Sequence, residues 1–95
     1  MENLIFSRPY FQKELRMQLP IALRALRVNA GLKQETVAEF LKISRPTYSY
    51  YEIGTTAPSV FTLYLLCQFY DVPIDTFFMP GAVKNLHPGQ TRVRK

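Results

Sequence analysis

Residues 32–54, LKQETVAEFLKISRPTYSYYEIG, restrict the fold more than any other stretch of this chain. They hold two short helical patterns separated only by the Lys42-Ile43 turn. The first runs from about Lys33 to Leu41, with Val37, Ala38 and Leu41 on one face. Its start is weakly marked, because Lys33 stands where a Ser or Thr cap would serve and Thr36 cannot complete a capping box. The second has firm ends: Ser44 can cap it, Pro46 fits its first turn, and Gly54 stops it after Ile53. Ala38 is small enough for a close helix crossing, and Ile43 anchors the turn. Tyr48 and Tyr51, three residues apart, face inward from the second helix. Its outward face then carries Arg45, Pro46, Ser49 and Tyr50. A short helix held at a fixed angle across another can be pushed into a DNA groove.

The flanking sequence supplies the rest of a small bundle. Pro20 suits the first turn of a helix in which Ile21, Leu23, Leu26 and Val28 give helical apolar spacing and Gly31 is the stop. Ser59 caps a fourth helix, which Asp71-Val72-Pro73 breaks, and Ile74 to Phe78 reads as a last short helical turn. Residues 1–19 form an N-terminal extension, 20–79 the folded unit, and 80–95 a polar, basic tail predicted to be mobile. The fold class is all-α: five helices around a helix-turn-helix.

The fourth helix is apolar on two sides. Val60, Leu63, Leu66, Cys67 and Tyr70 fall within about 120° of arc and make the expected core face. Phe61, Leu65 and Phe69 form a second stripe at i, i+4, i+8. Two covers are open for it: the extension, through Leu4, Ile5, Phe6, Tyr10, Phe11, Leu15 or Leu19, or a symmetric contact with a second copy.

Charge and composition bound the function classes. The net charge is +5, yet from Pro20 to Phe78 five basic residues (Arg24, Arg27, Lys33, Lys42, Arg45) balance five acidic ones (Glu35, Glu39, Glu52, Asp71, Asp75). The excess sits in the flanks, mostly in Lys84, Arg92, Arg94 and Lys95, so a polyanionic partner is suggested rather than demanded. No run of 18 apolar residues occurs, which excludes a helical membrane span. The N-terminus lacks the pattern of a secretory signal. One cysteine, Cys67, cannot make a disulfide framework, and a reduced cytoplasmic setting is the simplest reading. His87 is the sole histidine, no nucleophile–base set or metal cluster can be assembled, and Glu35 and Glu39 read as solvent-facing. An enzyme, a cofactor, a metal and a small-molecule ligand are not expected.

From about Ile21 to Phe78 the chain resembles the Cro/repressor-type helix-turn-helix family, also called the xenobiotic-response-element family. The resemblance is carried by LRALR at 23–27, GLKQETVA at 31–38, ISRPTYSYYEIG at 43–54, PS at 58–59 and DVPIDTFF at 71–78. It implies a compact, lambda-repressor-like bundle that binds double-stranded DNA as a homodimeric transcriptional repressor. By position, Gln34 matches a residue that touches the DNA backbone and braces the recognition helix. Ser44 matches a phosphate contact, and Arg45, Pro46, Ser49 and Tyr50 match positions facing base edges. Lys33 and Thr55 complete the candidate DNA-binding set. Arg27 and Glu52 match a family salt bridge between the first helix and the end of the third, a pairing that would fix the angle of the recognition helix.

Three departures from the family pattern together predict a DNA interface with few ionic contacts. Lys42 replaces the usual turn glycine, at a cost of roughly 1 kcal/mol if it adopts a left-handed conformation. Ile53, Thr55 and Thr56 replace polar or basic residues, and Pro46 offers no side-chain hydrogen bond. The competing expectation, supported by the neutral bundle and the apolar stripe, is a protein-interaction or antitoxin-like adaptor using the same fold.

Overall fold

The computed structural model describes residues 9–79 together with 81, 83 and 93. Among these are four α-helices and no strand: α1 (Pro9–Asn29), α2 (Gln34–Leu41), α3 (Arg45–Ile53) and α4 (Val60–Tyr70), followed by a 3₁₀ turn over Ile74–Phe77. The expected fifth helix is thus this single 3₁₀ turn. α2 and α1 both pack on α3, and the 3₁₀ turn packs on α1 and α4.

The first helix does not begin at Pro20. α1 is 21 residues long with Pro20 inside it, so the boundary expected between residues 19 and 20 falls in mid-helix. The apolar series Leu15, Leu19, Ala22, Leu23, Leu26 passes through the proline at helical spacing, and Leu19 belongs to the core. The segment before Pro20 is rich in strong helix formers, Glu14-Leu15-Arg16-Met17-Gln18-Leu19, which favours continuation despite the lost backbone donor. Gly54 makes room for the ring: a Cβ placed there would lie 3.2 Å from Pro20 Cγ. The buried face of α1 is rotated from the predicted one. Ala22, Leu23 and Leu26 are buried, whereas Ile21 and Val28 are exposed.

Three helix ends use one device. At Gly31, Lys42 and Asp71 the chain turns left-handed, with φ of 72°, 59° and 56°. The following residue then donates to a carbonyl five positions back: Leu32 to Arg27, Ile43 to Ala38, and Val72 to Cys67, each at 3.0 Å. This is the six-to-one bond of a Schellman motif, which satisfies the last helical carbonyls. Only the first of the three has the residue type that adopts such a conformation without cost.

The core holds Leu23, Leu26, Val37, Tyr48, Leu66, Tyr70 and Phe77 almost entirely out of solvent. On α4 the buried set is Leu63, Leu66, Cys67, Phe69 and Tyr70. Two expectations fail there. Val60, assigned to the core face, is 83% exposed, and Phe69, assigned to the unpartnered stripe, is only 6% exposed. Phe69 is covered by Phe40 of α2, ring on ring at 4.3 Å, rather than by the extension. Of the stripe, Leu65 is half-buried and Phe61 remains outside. Within the tail, Val83 and Val93 pack against the core, so at these two positions the tail rests on the body. Apart from Gly81, Val83 and Val93, the residues of the tail lie outside the described residues, as do Leu4, Ile5 and Phe6 of the extension; His87 is among them.

Candidate nucleic-acid interface

α3 presents one face inward and one outward, and the sequence dictates which. Ser44 has extended backbone, and its Oγ accepts from the Thr47 amide at 3.2 Å, so the helix starts at Arg45 with Pro46 in its first turn. Tyr48 points into the core, edge-on to Tyr51 at 6.1 Å between ring centres. Arg45, Pro46 and Tyr50 are exposed and Ser49 is half-buried, which leaves these four on the outer side with Thr55 and Thr56 beyond them. Lys33 is exposed at the start of α2, where its side chain makes no cap.

Beneath that outer face lies a polar network. The Arg27 Nε donates to Glu52 Oε2 at 2.6 Å and its Nη2 to Oε1 at 3.1 Å. Its Nη1 donates to the Leu32 carbonyl at 2.8 Å, tying the α1–α2 turn to the same group. The Tyr48 hydroxyl donates to Glu52 Oε2 at 2.6 Å, and Gln34 Nε2 donates to Oε1 at 3.1 Å. Finally, Arg45 Nη1 donates to Gln34 Oε1 at 2.9 Å. Residues of α1, α2 and α3 thus converge on one carboxylate whose side chain is 4% exposed.

The protonation states follow from this arrangement. Burial alone would push the Glu52 carboxyl up, but hydrogen bonds from Arg27, Tyr48 and Gln34 and the charge of Arg27 outweigh it and hold the pKa below the ordinary value. The hydrogen bond to Glu52 raises the Arg27 pKa, against the opposing pull of its own burial. Tyr48 is driven up by burial and by its bond to Glu52. Tyr70 is driven up by burial, and its hydroxyl is buried with no hydrogen-bond partner. Cys67 is a buried free thiol, also raised by burial. Among the described residues no group of three or more His, Cys, Asp or Glu could hold a metal ion. No described helix is long and apolar enough to cross a membrane.

The Arg27–Glu52 pairing inferred by resemblance is present, but the part of Tyr48 and the link from Gln34 to Arg45 were not legible. Tyr48 was assigned to the core, where its ring does lie, yet its hydroxyl serves the polar network. The i, i+4 spacing of Tyr48 and Glu52 on α3 is the signal that could have found it. Gln34 and Arg45, read as separate contacts, are bonded to each other. Phe61, Leu65 and Phe69 do not form a common free surface, because Phe69 is in the core.

Two helices joined at a left-handed turn, the second capped, braced from below and exposed above, define a helix-turn-helix. The chain belongs to the helix-turn-helix family, whose pattern it matches over residues 23–77. It is similar to the cryptic phage CTXphi transcriptional repressor RstR of Vibrio cholerae, with 44% identity over 52 residues, or 55% of this chain. The match spans 47% of that relative's length. No solved structure matches the chain.

Proposed function

We propose that this protein is a sequence-specific double-stranded-DNA-binding transcriptional repressor that works in the cytoplasm and inserts α3 in the major groove. The observation that carries the reading is the division of α3: Tyr48 and Glu52 are fixed inward while Arg45, Ser49 and Tyr50 stand outward. Arg45 is the main base reader, since a guanidinium matches guanine O6 and N7 bidentately. Ser49 and Tyr50 support it, and Pro46 shapes the surface without hydrogen bonding. Lys33, Gln34, Ser44 and Thr55 hold backbone phosphates at the helix starts and beyond Gly54. A family match and a relative named as a transcriptional repressor support both the DNA target and the regulatory role. Residues 20–79 are the DNA-binding unit, stiffened by the earlier turns of α1.

The protein acts as a homodimer, reading half-sites about 10 base pairs apart or a multiple of that. The surface that supports dimerisation differs from the stripe read in the sequence. Val60, Phe61 and Tyr64, at 83%, 67% and 56% exposure, lie on the first turns of α4. Phe61→Glu should convert a dimer to a monomer in sedimentation, while Ile21→Glu, on the separate apolar surface of α1, should not.

Selection from a randomised duplex library, followed by affinity measurement across salt concentrations, tests the main reading. Enrichment of one motif with salt-sensitive binding is expected, and Arg45→Ala should cost about 1–3 kcal/mol of discrimination at one base pair. Binding without any sequence preference would defeat it. The exposed α4 surface also favours the adaptor reading, which gains if Arg45→Ala changes nothing.

A further inference from the structure

The Gln34 amide sits between two groups of opposite demand. On one side is the Glu52 carboxylate, which can only accept, and Gln34 gives it Nε2 at 3.1 Å. On the other is the Arg45 guanidinium, which can only donate, and Gln34 offers it Oε1 at 2.9 Å. Both neighbours require the same orientation of the amide, so a flip would break both bonds at once. Glu52 is itself fixed by the two-bond fork from Arg27 and by the Tyr48 hydroxyl on Oε2 at 2.6 Å. The chain of bonds therefore runs from the core outward, Tyr48 and Arg27 to Glu52 to Gln34 to Arg45, and ends on an exposed side chain.

An exposed arginine ordinarily samples many rotamers and loses that freedom when it binds. Here a single Nη1 bond limits the guanidinium while its remaining donors stay available. We propose that Tyr48, through its hydroxyl, is a positioning residue for base selectivity: with Glu52 and Gln34 it pre-sets Arg45 for the base it reads. The inference rests on the DNA-binding reading and assigns a function to a residue that touches no DNA. Tyr70 is the internal comparison, a second buried tyrosine beside the same charges whose hydroxyl makes no hydrogen bond and so forms no link of the relay.

The test compares wild type, Tyr48→Phe and Tyr70→Phe on the selected operator and on operators altered at the base pair that Arg45→Ala ceases to discriminate. Tyr48→Phe should reduce discrimination at that pair roughly three- to tenfold, the scale of one hydrogen bond, with the salt slope and the preferences at other pairs unchanged. Tyr70→Phe should leave discrimination alone. In an Arg45→Ala background Tyr48→Phe should have no further effect on selectivity. If Tyr48→Phe does not fold, Gln34→Met, which removes both amide bonds and the phosphate contact assigned to Gln34, should lower affinity evenly for all sequences and, beyond that even loss, reduce discrimination at the same pair. The relay is overturned if discrimination at the Arg45 pair survives Tyr48→Phe or, where that variant does not fold, Gln34→Met. It is equally overturned if no part of the loss is specific to that pair, or if the pair-specific part persists without Arg45. Absence of selective binding by wild type, or indifference to Arg45→Ala, would instead reject the DNA-binding reading itself.

Discussion

α3 and α4 are of similar length, nine and eleven residues, yet they are anchored in opposite ways. α4 buries five side chains, four of them large and apolar or aromatic, and its attachment is area removed from water. α3 buries only Tyr48 and depends on the carboxylate of Glu52, which receives Arg27, Tyr48 and Gln34. Burial is non-directional, so it supplies stability and tolerates small rotations of a helix. Charge-assisted hydrogen bonds are short and directional, and they fix an angle. The helix that must present side chains outward is the one held by direction, and the helix behind it is held by area.

The contrast can be broken from either side. Arg27→Ala should have the largest effect, because it strands a nearly buried carboxylate: a loss of about 3–5 kcal/mol in urea unfolding, with DNA selectivity reduced in whatever fraction remains folded. Leu66→Ala should cost about 2–5 kcal/mol by opening a cavity under α4 while leaving base discrimination intact at temperatures where the protein is folded. If both variants lose selectivity in proportion to stability, the division between direction and area is wrong.

Acid separates the two anchors without mutation. The Glu52 pKa is lower in the folded state than in the unfolded chain, so its contribution is complete above the ordinary carboxylate value, about 4.3, and is lost as pH falls through the folded value. Urea midpoints between pH 6 and pH 3 should fall accordingly. Glu52→Gln should remove most of that slope, and Leu66→Ala should retain it. The smallest effect should come from the turn between the two helices of the motif. Lys42→Gly relieves a φ of 59° and should stabilise by about 0.5–1 kcal/mol, read as a higher melting temperature with the same operator preference.

Much of the fold was legible. Caps and stops set α3 and α4 nearly where they lie, because Ser44, Ser59 and Gly54 act through backbone bonds within a few residues of themselves. The left-handed turn at Lys42 was implied by the family resemblance, which puts glycine at that position. Pro20 misled, since a proline reports a local preference, while continuation of α1 was decided by an apolar series that spans it and by the room left at Gly54. Val60 and Phe69 exchanged places because the helical wheel of α4 does not say which neighbour arrives on which side, and Phe40 arrived on the side of Phe69.

By itself the sequence determined the order of elements, the turn chemistry, the inward and outward faces of α3 and the family. These are local matters of cap, φ angle and period. The tertiary structure alone decided that Gln34 and Tyr48 join Arg27 on the Glu52 carboxylate and that Arg45 hangs from Gln34. Gln34 and Glu52 are eighteen residues apart and Arg27 and Glu52 twenty-five. Hydrogen bonds of that reach exist only after the apolar faces of three helices have been brought together by burial.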